Sequence, residues 1–215
     1  MLARVRISVP DRPGSLGRVA SVIGTAGADI AKVDVLENES GRALDDVFVQ
    51  VQDATHLAAV QTALSALPGV TVIGVQQPVP PVTGHADLEL VDQVLSGPER
   101  SLQTLVDGAP GALGADWAAI VAYGLDGDQA SVIAVSGKAP AAQSIALSAA
   151  LRLTTVRLPR PGSDTPYAGA VLVPLGGSPV GLLLVREDGV DFHPSELWRL
   201  GQIGHIVSGV VPATV

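Results

Sequence analysis

The chain has 215 residues, 47% hydrophobic and 16% charged, with a formal net charge of −8 and no cysteine. A core is readily filled at that composition, and disulfides, thiolate catalysis and cysteine-ligated metals are excluded. Up to residue 80 there are 6 basic and 8 acidic residues, and beyond it 7 and 13, so neither part offers the basic surface a phosphate backbone needs. Aromatic residues, at 3%, leave little for base stacking, and no nucleic-acid partner is expected.

From the N-terminus, residues 3–9 alternate, with Val5, Ile7 and Val9 on one face and Arg4, Arg6 and Ser8 on the other, which predicts a half-buried strand. Pro13 and Gly14 then precede a helix over 15–25, where Leu16, Val19, Ala20 and Ile23 recur at helical spacing. The amides that open such a helix lack intrahelical partners and lie at the positive end of its dipole, so a carboxylate fits there. A turn at 26–29 leads to a second strand over 30–36 and, after turn residues 38–41, a third over 44–51. Leu57, Val60, Leu64 and Leu67 mark a second helix over 55–67, stopped by Pro68-Gly69, and 70–75 reads as a fourth strand. The order βαββαβ is ferredoxin-like, an antiparallel sheet with both helices on one face.

The segments Asp11-Arg12-Pro13-Gly14-x-Leu16, Ala26-Gly27-Ala28-Asp29-Ile30 and Leu67-Pro68-Gly69-Val70 resemble the ACT domain, the regulatory amino-acid-binding module of amino-acid metabolism. The resemblance implies a small effector held where two such domains pair side by side into one sheet. It implies a ligand site at Asp11, Arg12, Pro13, Gly14, Ser15, Leu16, Ala28, Asp29 and Ile30. Serine-responsive members carry Asn at the positions matching Asp11 and Asp29; here both are Asp, which can still accept from an α-ammonium group. Asp11 also suits a turn, Asp29 the close of the loop into strand two, Arg12 a solvated surface, and His56 a helix cap.

Residues 77–85, with three prolines, form a linker between domains 1–76 and 86–215. Beyond it one or two helices are expected around Leu88–Leu95 and Leu102–Val106, strands over 116–123 and 129–135 joined by a turn at 124–128, and a helix over 139–151. A loop over 157–167, a buried hairpin over 168–185 and a helix from His193-Pro194-Ser195-Glu196 complete the chain. Residues 165–185 carry no charge over about the ~20 residues a membrane span requires, but three prolines and four glycines favour the hairpin. Arg4, Arg6, Asp11, Arg12 and Arg18 leave no apolar segment for a signal peptide, so a cytoplasmic protein with no membrane partner is expected.

Val173-Pro174-Leu175, Pro179-Val180-Gly181-Leu182-Leu183-Leu184 and Phe192-x-x-x-Glu196-Leu197 resemble the end of a GAF domain, and Gly114-Ala115-Asp116 the start of its sheet. The resemblance implies a sensory or dimerising module with a six-stranded sheet flanked by helices. Bilin attachment needs a cysteine, and the cyclic-nucleotide motif an asparagine; the one asparagine, Asn38, lies in the first domain. His193 and His205 are expected to be structural, and Trp117 and Trp198 to pack a core or a dimer seam. No nucleophile, base and orienting group assemble from the sequence; Arg157, Asp164 and Tyr167 in one pocket would be the exception. The expectation is an α+β, non-enzymatic regulatory homodimer that needs neither metal nor cofactor and binds an amino acid or similar small carboxylate. The alternative is a ligand-free dimerisation or interaction protein.

Overall fold

The computed structural model describes residues 1–39, 41–76, 85–123, 130–145, 147, 152–177 and 179–211. It divides into two compact units, Met1–Val82 and Thr83–Val215. The expected linker lies, except for His85, outside the described residues, as does the expected turn at 124–128.

The first unit runs β1 (Leu2–Pro10), α1 (Ser15–Thr25), β2 (Asp29–Glu39), β3 (Arg42–Gln50), α2 (Ala54–Ser65) and β4 (Thr71–Gln76). Its sheet has the order β2-β3-β1-β4, with every neighbouring pair antiparallel. The period-two alternation sets the packing. Ala3, Val5, Ile7 and Val9 of β1 and Val47 and Val49 of β3 join Val19 and Ile23 of α1 and Leu57, Val60 and Leu64 of α2 in one core. The Arg face of β1 is not solvated as expected: Arg4 and Arg6 are buried as well. Their charge is met by Asp46, which accepts from Arg6 through both oxygens at 2.7 Å and lies 3.7 Å from Arg4, so burial of the cations is compensated. Asp53 caps α2 by accepting from the His56 amide. The His56 ring spans the helices, with Nδ1 accepting from the Gln52 amide and Nε2 donating to the Ala26 carbonyl at the end of α1.

The second unit comprises α3 (Ala86–Ser96), α4 (Ser101–Leu113), β5 (Trp117–Tyr123), β6 (Ala130–Val135), β7 (Thr154–Thr155), β8 (Gly169–Pro174), β9 (Val180–Arg186) and α5 (Pro194–Val207). Five antiparallel strands in the order β6-β5-β9-β8-β7 are seen among the described residues, rather than six. Both sheet faces are covered, which is why β8 and β9 are apolar but for Arg186 at the end of β9. Ala118, Ile120, Val173, Leu182 and Leu184 face the helices, while Trp117, Val121, Leu172 and Leu183 pack under the segments before and after β7. The apolar stretch over 165–185 is therefore the expected hairpin, and among the described residues no helix is long and apolar enough to cross a membrane. The helix expected over 139–151 is replaced, in its described part, by one 3-10 turn at Ala142–Ser144. Pro140 lacks an amide donor and disfavours helical geometry at Ala139. The short edge strand β7 was not anticipated. Trp117 is fully buried, edge-on to Tyr167 at 5.4 Å, whereas Trp198 is 69% exposed and belongs to no core.

One buried cation holds the helices of this unit to its sheet. Arg186, at the end of β9, is 0% exposed. It donates to Glu196 at 2.6 Å and to the carbonyls of Gly114 and Asp191, and its guanidinium lies 3.8 Å from the centre of the Phe192 ring. Glu196 also accepts from the His193 amide, completing a capping box at the start of α5 in which the His193 ring accepts from Ser195. Arg186→Ala leaves Glu196 without its cation and is expected to lower stability by about 3–5 kcal/mol. Urea denaturation followed by Trp117 fluorescence measures this directly.

Candidate functional site

The turn between β1 and α1 is fixed by backbone bonds. The Asp11 amide donates to the Gly41 carbonyl at 2.9 Å, and that of Arg12 to Pro10 at 3.0 Å. The chain then enters α1 through Gly14 at φ 87°, a left-handed conformation that a side chain resists. Having no side chain, Gly14 provides no cap. The Ser15 amide is engaged by the Arg12 carbonyl at 3.2 Å, and Arg18 closes the first helical bond to Gly14. Among the described residues nothing accepts from the amides of Leu16 and Gly17, which sit at the positive end of the helix beside exposed Asp11, Arg12, Pro13 and Gly14. The arrangement suits an anionic oxygen.

Residues 28–30 lie elsewhere. Gly27 turns the chain at φ 85°, Ala28 is buried and donates to Ile23, and exposed Asp29 accepts from the Ile30 amide at 2.9 Å. Asp29 pairs with Gln50 at one end of β3, while Pro10, just before Asp11, pairs with Arg42 at the other. The nine residues of β3 separate the two clusters by roughly 27 Å at about 3.4 Å per residue. The predicted site residues thus fall into two groups, 11–16 and 28–30, that one subunit does not bring together. β2 is an edge strand of the sheet.

Sequence reasoning passed over Asp45 and the hydroxyl of Ser15. Ser15 shares the buried side of α1 with Val19 and Ile23, and its Oγ has no partner among the described residues. Asp45 is 2% exposed, in register with core residue Ile7, and its Oδ1 is likewise unpartnered. Burial raises its pKa above the ordinary 3.8, and the neighbouring charges of Asp46 and Asp11 raise it further. The sequence did carry a signal: extending the alternation of Val49 and Val47 back by two places Asp45 on the apolar face.

In the second unit, a cavity of about 440 Å³ is lined by Val121, Ser131, Val132, Gln143, Ile145 and Leu147, and among the described residues it offers no ionised group. The trio considered for acid–base chemistry does not assemble among the described residues. Arg157 and Asp164 are exposed, and the Tyr167 ring lies 5.1 Å from the guanidinium of Arg160.

Because the fold holds the Asp45 proton more tightly than the unfolded chain does, stability falls as pH rises from 3.8 through the raised value. Asp45→Asn removes that loss. The variant is expected to exceed the parent in stability at pH 7 by about 1 kcal/mol, with the gap closing toward pH 4, in thermal melts of both proteins.

Comparison with known proteins agrees with this division. Residues 2–74 match a family model described as the ACT domain. Over 67 residues the chain is 36% identical to NAD-dependent malic enzyme 1 of Bacillus subtilis (strain 168), spanning 31% of this chain but only 15% of that enzyme. Among solved structures it is similar to the GAF domain of an Acinetobacter phosphoenolpyruvate-protein phosphotransferase, at 18% identity and a TM-score of 0.44, covering 58% of this chain and 89% of that one. It is also similar to the GAF domain of a putative sensor histidine kinase from Pseudomonas syringae pv. tomato, at 15% identity and a TM-score of 0.43, covering 58% and 81%. The second unit is an antiparallel sheet flanked by helices. Residues 2–74 of this chain are an ACT domain, a regulatory ligand-binding module.

Proposed function

We propose that the protein is a non-enzymatic, cytoplasmic regulator that binds an amino acid or similar small carboxylate between the ACT domains of a homodimer. The open amides of Leu16 and Gly17 beside Asp11 carry this reading. They are donors at a helix N-terminus, reached past exposed residues and left uncapped by glycine, where a side chain would ordinarily close the end. The effector's carboxylate takes these amides. Its ammonium group takes Asp11 and, from the partner, the Asp29 group, which a single subunit holds too far away to contribute. Two ACT domains joined along their β2 edges supply both halves, and the effector stabilises the pair by bridging it. Change in that pairing is the signal passed on, as a coupling free energy between the effector site and the second unit.

Isothermal titration of the full chain with the twenty amino acids tests the reading. At least one is expected to bind with its affinity lowered about tenfold or more by Asp11→Ala, consistent with loss of a hydrogen bond to a charged group. Silence across the panel, with a dimer that persists, would favour the interaction protein instead.

A further inference from the structure

The ACT domain leaves two interior polar atoms unused close to α1's opening turn. Helix α1 joins β1 to β2, and β3 lies between those strands, so the helix crosses the inner face of β3. Asp45 is on that face, because it stands opposite Ile7, a fully buried member of the core. Ser15, the first residue of the helix, turns its hydroxyl inward on the side that carries Val19 and Ile23. Both residues are more than nine-tenths buried, at 2% and 5% exposed, and Asp45 Oδ1 and Ser15 Oγ are without a partner among the described residues. The charge of Asp11, at the rim of the turn, reaches Asp45. A buried carboxyl and a buried hydroxyl left unbonded each cost free energy that a donor from elsewhere would recover.

We infer that Asp45 and the Ser15 hydroxyl form the floor of the effector site beneath the free amides of α1, and select an amino acid whose side chain carries an N–H or O–H donor. This rests on the effector reading above. With the backbone carboxylate on Leu16 and Gly17, an effector side chain turned inward meets Asp45 Oδ1 and the Ser15 hydroxyl, neither of which has a partner among the described residues. Arg4 and Arg6, the nearest buried cations of the sheet, belong to its other face and are engaged with Asp46 and Gln76. Asp45 repels an acidic side chain, and a purely aliphatic one leaves Asp45 Oδ1 and the Ser15 hydroxyl unbonded, a loss that polar sites use to reject apolar analogues.

The full chain is titrated calorimetrically with the twenty amino acids, together with 2-aminobutyrate, 2,4-diaminobutyrate and norvaline. Serine against 2-aminobutyrate and diaminobutyrate against norvaline form pairs of nearly equal shape that differ in the donor. The expected result is at least tenfold tighter binding of one donor-bearing member than of its apolar twin, and weak or absent binding of aspartate. Asp45→Ala is expected to abolish the preference while the apolar twin's affinity is kept; Ser15→Ala, the second variant, reduces it with little effect on folding. Equal binding of the twins, or tightest binding of aspartate, overturns the inference but leaves the effector reading standing. Loss of both twins alike in Asp45→Ala, in a protein that still melts cooperatively, also overturns it, since Asp45 would then act structurally. No binding by any compound removes both readings.

Discussion

Everything proposed for the first unit depends on how α1 begins. A helix must leave its first amides without intrahelical partners, and most helices answer with a side-chain cap from Ser, Thr, Asp or Asn. Here the capping position is Gly14 at φ 87°, which can enter the helix from a left-handed turn but has no side chain to accept from the first amides. α2 is the internal contrast: Asp53 caps it in the ordinary way, and His56 adds a second tie. The difference between the two helices of one domain is thus local chemistry at a single residue: α2 has a side-chain cap and α1 has none.

The second constraint is the length of β3. A nine-residue strand holds the β1–α1 turn and the α1–β2 turn at opposite ends of the sheet, however tightly the core packs. In the proposed homodimer, residues 11–16 and 28–30 become one site by symmetry, since an antiparallel copy would place one subunit's second turn near the other's first. In that arrangement ligand affinity and association would be linked, and a weak effector would act by shifting assembly. Asp45 fits the same logic from the stability side. A buried carboxyl oxygen such as Asp45 Oδ1, without a partner among the described residues, weakens the isolated fold, and such a cost is commonly found where a protein must bind something.

Much of this was legible in the sequence because period-two and period-3.6 patterns are strong in the first unit. Val5, Ile7 and Val9 alternate, Val19 and Ile23 repeat at helical spacing, and Gly69 with Pro68 stops the second helix, so all six elements fall within a few residues of where they are expected. What escaped were features set by tertiary packing. The inward face of Asp45 follows from the strand's alternation, but its missing partner does not, because partners come from other elements. Arg186 ends an otherwise apolar strand and reads as its exposed terminus; only the return of α5 and Phe192 over it makes it the buried anchor of the second unit. The segment 139–145 looked helical from its Ala and Ser content, and Pro140 outweighed that propensity. β7, two residues long, lies below what any periodicity can register.

The central claim is that the α1 amides are the receptor for an effector's carboxylate, and backbone NMR addresses it atom by atom. In a 15N-resolved titration of the full chain with the amino acid that calorimetry selects, the account predicts that the amide resonances of Leu16 and Gly17 move furthest, with those of 28–30 following as the partner's turn is recruited. Movement confined to the second unit, with Leu16 and Gly17 unchanged at saturation, would contradict it.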